Sequence, residues 1–175
     1  MSNFEEAIAL VIKHEGGLNK NPYDLGGITK YGISLRFLKT INPAADDISI
    51  IKMELDQAKD IYFQYFWIPN RYQDIKSQAL ANKLLDTAVN MGAKLANRFL
   101  QESMQILGHP IKIDGILGTQ SISLVNNFLE KNKAENLLRI YTLLQKEHYG
   151  KIVVVNKNQV EFLKGWFNRA NALLI

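Results

Sequence analysis

The chain has 175 residues, 47% of them apolar and 22% charged, enough for one well-buried core or two small lobes sharing one, with no room for a long disordered tail. No apolar run approaches the ~20 residues that cross a bilayer, the apolar stretch from Ala7 to Ile12 follows Glu5 and Glu6 rather than the cationic start of a secretory signal, and the absence of cysteine with only His14, His109 and His148 scattered along the chain excludes disulfides and thiol catalysis and leaves no metal-ligand spacing. The net charge of +4 is uneven, with 11 Lys+Arg against 6 Asp+Glu from residue 93 onward and 10 against 11 before it, so the C-terminal half is the part suited to a polyanion such as nucleic acid, anionic lipid or bacterial wall.

In chain order, Phe4, Ala7, Ile8, Val11 and Ile12 recur at helical spacing, and Ser2 with Glu5 has the form of a capping box. This predicts a helix over about Asn3 to Glu15, ended by Gly16-Gly17. From Leu18 to Ile33 the Asn, Pro, Asp and paired Gly residues predict an irregular loop or short hairpin. A helix over Ser34 to Ile41 is closed by Asn42-Pro43, and Leu55, Ala58, Ile61, Tyr62, Tyr65 and Phe66 form the stripe of another before Trp67. Leu80, Leu84, Leu85, Ala88 and Met91 mark a helix that stops at Gly92, and Leu95, Ala96, Phe99, Leu100 and Met104 mark one that stops at Gly108. The loop Ile113 to Gly118 leads into a helix capped by Thr119, and two more cover about Lys133 to His148, with Asn132 and Glu135 as capping box, and about Asn158 to Leu173. The fold class is mainly α.

On the first helix positions 4, 8, 11 and 15 share one face, so Glu15 extends an apolar stripe. A carboxyl placed there loses hydration, and the negative end of the helix adds to the effect, so both favour a held proton. A protonated carboxyl is the group that hydrolysis of a glycosidic bond requires. The competing reading is a helix-terminal Glu turned to solvent or paired with Lys13 or Lys20. Nine residues on lies Asp24, and five beyond it Thr29, both in the glycine-rich loop. Asp24 would be the charged partner that stabilises an oxocarbenium ion or orients water, and Thr29 would hold that water; a turn role for Asp24 after Pro22 competes.

His14-Glu15-Gly16-Gly17, followed by Pro22-Tyr23-Asp24-Leu25-Gly26-Gly27-Ile28-Thr29-Lys30-Tyr31-Gly32-Ile33, resembles the signature of family 108 of the glycoside hydrolases, a lysozyme-like group of peptidoglycan muramidases. The likeness continues through Ile61-Tyr62, Tyr65-Phe66-Trp67, Asp86 and Asn90-Met91-Gly92. The later residues Leu100-Gln101, Asp114 to Gly118 and Gly165-Trp166-Phe167-Asn168-Arg169 are similar to the predicted peptidoglycan-binding region that accompanies it. The resemblance implies a lysozyme-like, two-lobed helical fold with a small loop or hairpin lobe around residues 18–33. It implies a catalytic region over residues 1–92 and a helical, peptidoglycan-binding-like region over 93–175, packed as one unit because no linker separates them. Asp114, Trp166 and Arg169 are then expected to be structural. The spacing also resembles phage-type lysozymes, which have Glu, eight residues, Asp, five residues and Thr; here the second gap is four.

The resemblance places the catalytic residue on Glu15, with Asp24 and Thr29 as its partners. It implies a muramidase that cuts the β-1,4 bond from N-acetylmuramic acid to N-acetylglucosamine. Tyr23, Tyr31, Trp67 and Asn90 are the candidate sugar contacts, and no metal or cofactor is expected. The expected partner is the glycan strand of peptidoglycan, met by a monomer without membrane insertion or nucleic acid. Lacking a Sec signal, the protein is expected to be made in the bacterial cytoplasm and to act on the wall after release or non-Sec export. The alternatives are a catalytically silent wall-binding protein on the same fold, and a basic helical nucleic-acid-binding protein, which lacks any recognisable motif.

Overall fold

The stretch from Gln78 to Met91 carries apolar or uncharged side chains almost all round, and a helix of that kind has to be enclosed. In the computed structural model, which describes residues 1–15 and 28–172, it is enclosed along most of its length, with Asn90 exposed near its end. Leu80, Ala81, Leu84, Leu85 and Ala88 have no exposed surface, and neither do Lys83, Asp86 and Thr87. The other elements are arranged about it. In order they are α1 (Phe4–Glu15), the strands β1 (Thr29–Lys30) and β2 (Ile33–Ser34), α2 (Leu35–Ile41), α3 (Asp47–Ile51), α4 (Leu55–Tyr62), a π-helical turn (Phe63–Trp67), α5 (Gln78–Met91), α6 (Ala93–Ile106), α7 (Thr119–Lys131), α8 (Ala134–Val155) and α9 (Val160–Asn171).

Helices α1, α6 and α8 pack on α5, and α9 packs on α8. One apolar cluster runs through both halves of the sequence, taking in Val11 of α1, Leu84 of α5, Leu100 of α6, Val125 of α7 and Tyr141 of α8. This is the lysozyme-like helical fold that the sequence implied. Among the described residues no helix is long and apolar enough to cross a membrane.

The two strands form an antiparallel hairpin, Thr29 opposite Ser34 and Lys30 opposite Ile33. Its two-residue turn has φ of 52° at Tyr31 and 79° at Gly32. Positive φ at both positions matches the twist of a tight hairpin. At the end of α4 the Ile68 N–H donates to the Phe63 carbonyl at 3.0 Å, one residue further back than in an α-helix. That wider turn seats both Tyr62 and Trp67 in the core, where each is 1% exposed.

Several helix ends differ from the sequence reading. Ser2 is not part of a cap: its hydroxyl donates to the Ile75 carbonyl at 2.6 Å, tying the N-terminus to the segment before α5, and Asn3 caps α1 through Glu6 N–H instead. Thr119 accepts from Arg71 rather than capping α7. Asn132 closes α7, its amide donating to the Phe128 carbonyl, so it is not available to start α8. Helix α8 runs past His148 to Val155 because Tyr149 is a core residue, stacked on Trp166 with ring centroids 5.0 Å apart. The short α3 has a reciprocal capping box between Asp46 and Ser49, but at five residues it is too short to show a period.

Helix α9 is held at its C-terminal end by a buried cation. The Lys83 ammonium, on α5, donates to the Ala170 carbonyl at 2.5 Å, where the helix carries partial negative charge. Burial lowers the Lys83 pKa to about 8, against the pull of Asp86. The unfolded chain, with an ordinary lysine near ~10.4, therefore binds the proton more tightly than the folded one, and stability rises with pH across the window between the two values. Denaturant midpoints recorded through that window are expected to climb for the wild type relative to Lys83→Met; parallel curves would contradict the assignment.

Candidate active site

Glu15 is the last residue of α1, and the packing of Ala7, Ile8 and Val11 against α5 fixes where that helix ends. Its side chain is 19% exposed. It does not lie in an apolar wall, as the stripe on α1 suggested, but against a cation from the far end of the chain. The terminal Nη2 of Arg169 donates to Glu15 Oε1 at 2.7 Å. Lys13 does not fill that place, Lys20 lies outside the described residues, and Arg169, expected to be structural, touches Glu15 directly.

Arg169 is shared. Its Nε faces both oxygens of Asp86 at 3.1 and 3.2 Å, and Nη2 donates to Asp86 Oδ1 at 2.9 Å. Asp86 in turn lies 3.0 Å from His14 Nδ1, so that nitrogen carries the hydrogen that points at the carboxylate. Burial acts to raise the Asp86 pKa, but the His14 hydrogen bond and the charge and hydrogen bonds of Arg169 outweigh it and hold the group below the usual range. Burial likewise opposes the charge on Arg169, and Asp86 followed by Glu15 more than offsets it, so the guanidinium stays protonated. Four side chains from α1, α5 and α9 thus form one hydrogen-bonded cluster.

The hairpin closes over the same point. A Cβ on Gly32 would stand 2.7 Å from Glu15 Cγ and 2.6 Å from the Tyr62 hydroxyl, so the turn approaches the acid as only glycine can. Tyr62 donates to the Tyr31 carbonyl at 2.9 Å and pins the turn. Burial first, then the nearby Glu15 charge, raises the Tyr62 pKa, so it remains a donor.

Two hollows flank the cluster. One, of about 350 Å³, includes Gly32, Ser34, Tyr62, Phe66 and Val89 in its lining. The other, of about 480 Å³, is lined by His14, Asn90, Trp166, Arg169 and their neighbours. Val89 of α5 lines the first and Asn90 the second.

Of the residues picked out from sequence, Glu15 lies between the turn at Gly32 and Arg169. Thr29 is half-buried on β1, in the strand pair farther from the turn, and Tyr31 is half-buried at the turn with the Lys30 ammonium 5.4 Å from its ring centre. Asn90 is exposed on the rim, its Oδ1 accepting from the Tyr149 hydroxyl at 2.8 Å. Trp67 is corrected: at 1% exposure it packs edge-on against Phe4 and Tyr72 and cannot stack on a sugar. Asp24 and Tyr23 lie outside the described residues. Among the described residues, no three His, Asp or Glu side chains are grouped as a metal site requires. Sequence reading gave Asp86 no place beside Glu15 and expected Arg169 to be structural; the signal for Asp86 was a lone aspartate in the run Leu84-Leu85-Asp86-Thr87-Ala88.

Comparison with known proteins matches residues 8–92 to the family described as Glycosyl hydrolase 108, and residues 95–171 to that described as Predicted Peptidoglycan domain. No curated protein sequence matches the chain. Among solved structures, one titled "Structure of Brucella abortus SagA" superposes with a TM-score of 0.79 at 23% identity, covering 98% of this chain and 91% of that one. At that identity the likeness speaks for the fold.

The close approach at Gly32 gives a direct test of the hairpin's seat. Gly32→Ala puts a methyl into Glu15 and Tyr62 on a positive-φ backbone, and a loss of roughly 1–3 kcal/mol is expected from chemical denaturation. Wild-type stability in that variant would mean that the turn does not pack on Glu15.

Proposed function

The chain belongs to the glycosyl hydrolase 108 family and acts as a peptidoglycan hydrolase, and from that premise we propose that it is an N-acetylmuramidase with Glu15 as general acid. The observation that carries this reading is the meeting, at one carboxyl, of the end of α1, the hairpin turn at Gly32 and the Arg169 guanidinium, with one hollow lined by Gly32 and another by Arg169. A polymer lying across both hollows would pass a glycosidic oxygen over Glu15.

In this mechanism the bond from muramic acid C1 to the bridging oxygen breaks while Glu15 delivers its proton to that oxygen, which leaves as the hydroxyl of N-acetylglucosamine. Positive charge develops on the muramic acid ring, and Asp24 is assigned the role of stabilising it or orienting the incoming water. Water adds at C1, and its spare proton returns to a carboxylate of the site. Thr29 is given the task of holding that water. Tyr31 and Asn90, with Tyr23, are the proposed sugar contacts, and the excess of cations in residues 93–175 favours the anionic wall. The two matched segments are read as one working unit on the wall.

Clearing of purified sacculi by the wild type and by Glu15→Gln, with circular dichroism on both, tests the acid. The variant is expected to keep its helices and lose at least about a hundredfold in rate, the scale of general acid catalysis. Mass spectrometry of wild-type fragments is expected to show muramic acid at the reducing end. Undiminished clearing by Glu15→Gln would remove Glu15 from the mechanism, and glucosamine at the reducing end would reassign the bond.

A further inference from the structure

We infer that Arg169 is a positioning residue for Glu15, so that the segment matched as a peptidoglycan domain contributes a side chain to the acid site of the hydrolase segment. The inference rests on Glu15 being the acid. Glu15 lies within residues 8–92 and Arg169 within 95–171, on opposite sides of the boundary between the two family matches.

Three observations carry it. First, the Arg169 fork is aimed before it meets Glu15. Both oxygens of Asp86 face Nε, Asp86 itself has no exposed surface, and His14 fixes it from the other side. A guanidinium is planar, so fixing Nε and one hydrogen of Nη2 sets the direction of the second hydrogen, the one that reaches Glu15.

Second, α9 cannot slide to relax that contact. Lys83 and Asp86 are three apart on α5 and share a face, and they grip the consecutive residues Ala170 and Arg169. The helix that carries the guanidinium is therefore registered against the helix that carries its counter-ion.

Third, Glu15 is where α1 ends, and a glutamate side chain has several torsions to order before its carboxyl holds one place. Gly32 and Tyr62 restrict it from the hairpin side, and Arg169 from the other. The Nη2 contact fixes the direction in which the carboxyl is held. Displacement of a reacting group by about 1 Å costs on the order of a hundredfold in rate.

A residue that only staples α9 to the core would change stability and leave turnover of the folded enzyme alone. The test uses the full chain: wild type, Glu15→Gln, Arg169→Lys and the double variant, assayed for kcat and KM on solubilised peptidoglycan with rates corrected for the folded fraction. Arg169→Lys keeps a cation beside Asp86 but replaces the fork with one nitrogen. The expected result is a fall in kcat of about 10- to 100-fold with KM within about twofold, and no further fall when Arg169→Lys is added to Glu15→Gln.

Wild-type kcat in folded Arg169→Lys, or an equal added loss in the Glu15→Gln background, overturns the inference. Should Arg169→Lys fail to fold, Asp86→Asn carries the same test, since it keeps Arg169 and loosens its aim; the same kcat loss is expected, and wild-type kcat overturns the inference. An inactive Glu15→Gln with a fully active Arg169→Lys would sink the positioning role alone. An active Glu15→Gln would sink the acid assignment and the inference together.

Discussion

Arg169 donates at once to Asp86 in the middle of the core and to Glu15 at its edge, and the geometry of the site follows from that shared guanidinium. Such an arrangement needs a carboxylate buried in α5, an arginine on the last helix to neutralise it, and an α1 of the right length to bring Glu15 within reach. A buried aspartate without a partner would be costly, and removal of one member of a buried pair typically destabilises by about 3–5 kcal/mol. Folding and the shape of the site are therefore coupled through the same side chains.

The charge distribution explains why the cluster is tolerated in the interior. Asp86 and Arg169 cancel, His14 offers its Nδ1 hydrogen to the remaining face of Asp86, and Lys83 spends its hydrogen bond on the end of α9. Within this cluster each deeply buried charged group has a partner. What is left over is a carboxyl at the surface end of the cluster, beside a turn that admits no side chain at Gly32. The hairpin and the C-terminal helix both meet Glu15, so segments matched to two family descriptions touch at one residue.

Much of the framework was readable from periodicity. The faces of α1, α5 and α6 were set by apolar residues at three- and four-residue spacing, and the ends at Gly92 and Gly108 by residues that adopt positive φ there. An irregular loop or short hairpin was readable over Leu18 to Ile33, though not the place of its turn, and Glu15 stood out as a carboxyl continuing an apolar stripe. The environment of that carboxyl was not readable, because Arg169 is 154 positions away and local spacing carries no record of such a pairing. Trp67 was ambiguous for a different reason: an aromatic at the end of a stripe serves core or cleft equally well, and the π-helical turn that rotates it inward has no sequence signature of its own. Helix caps were misplaced where Ser2, Thr119 and Asn132 found tertiary or neighbouring-helix partners instead.

The most direct test of the account is the structure of the Glu15→Gln protein with a muramic acid-containing oligosaccharide bound. The account predicts a glycosidic oxygen within hydrogen-bond reach of the residue 15 side chain, about 3 Å, with the contact from Arg169 to Asp86 unbroken. A glycan seated away from that side chain, or an Arg169 turned out of the cluster in the complex, would contradict it.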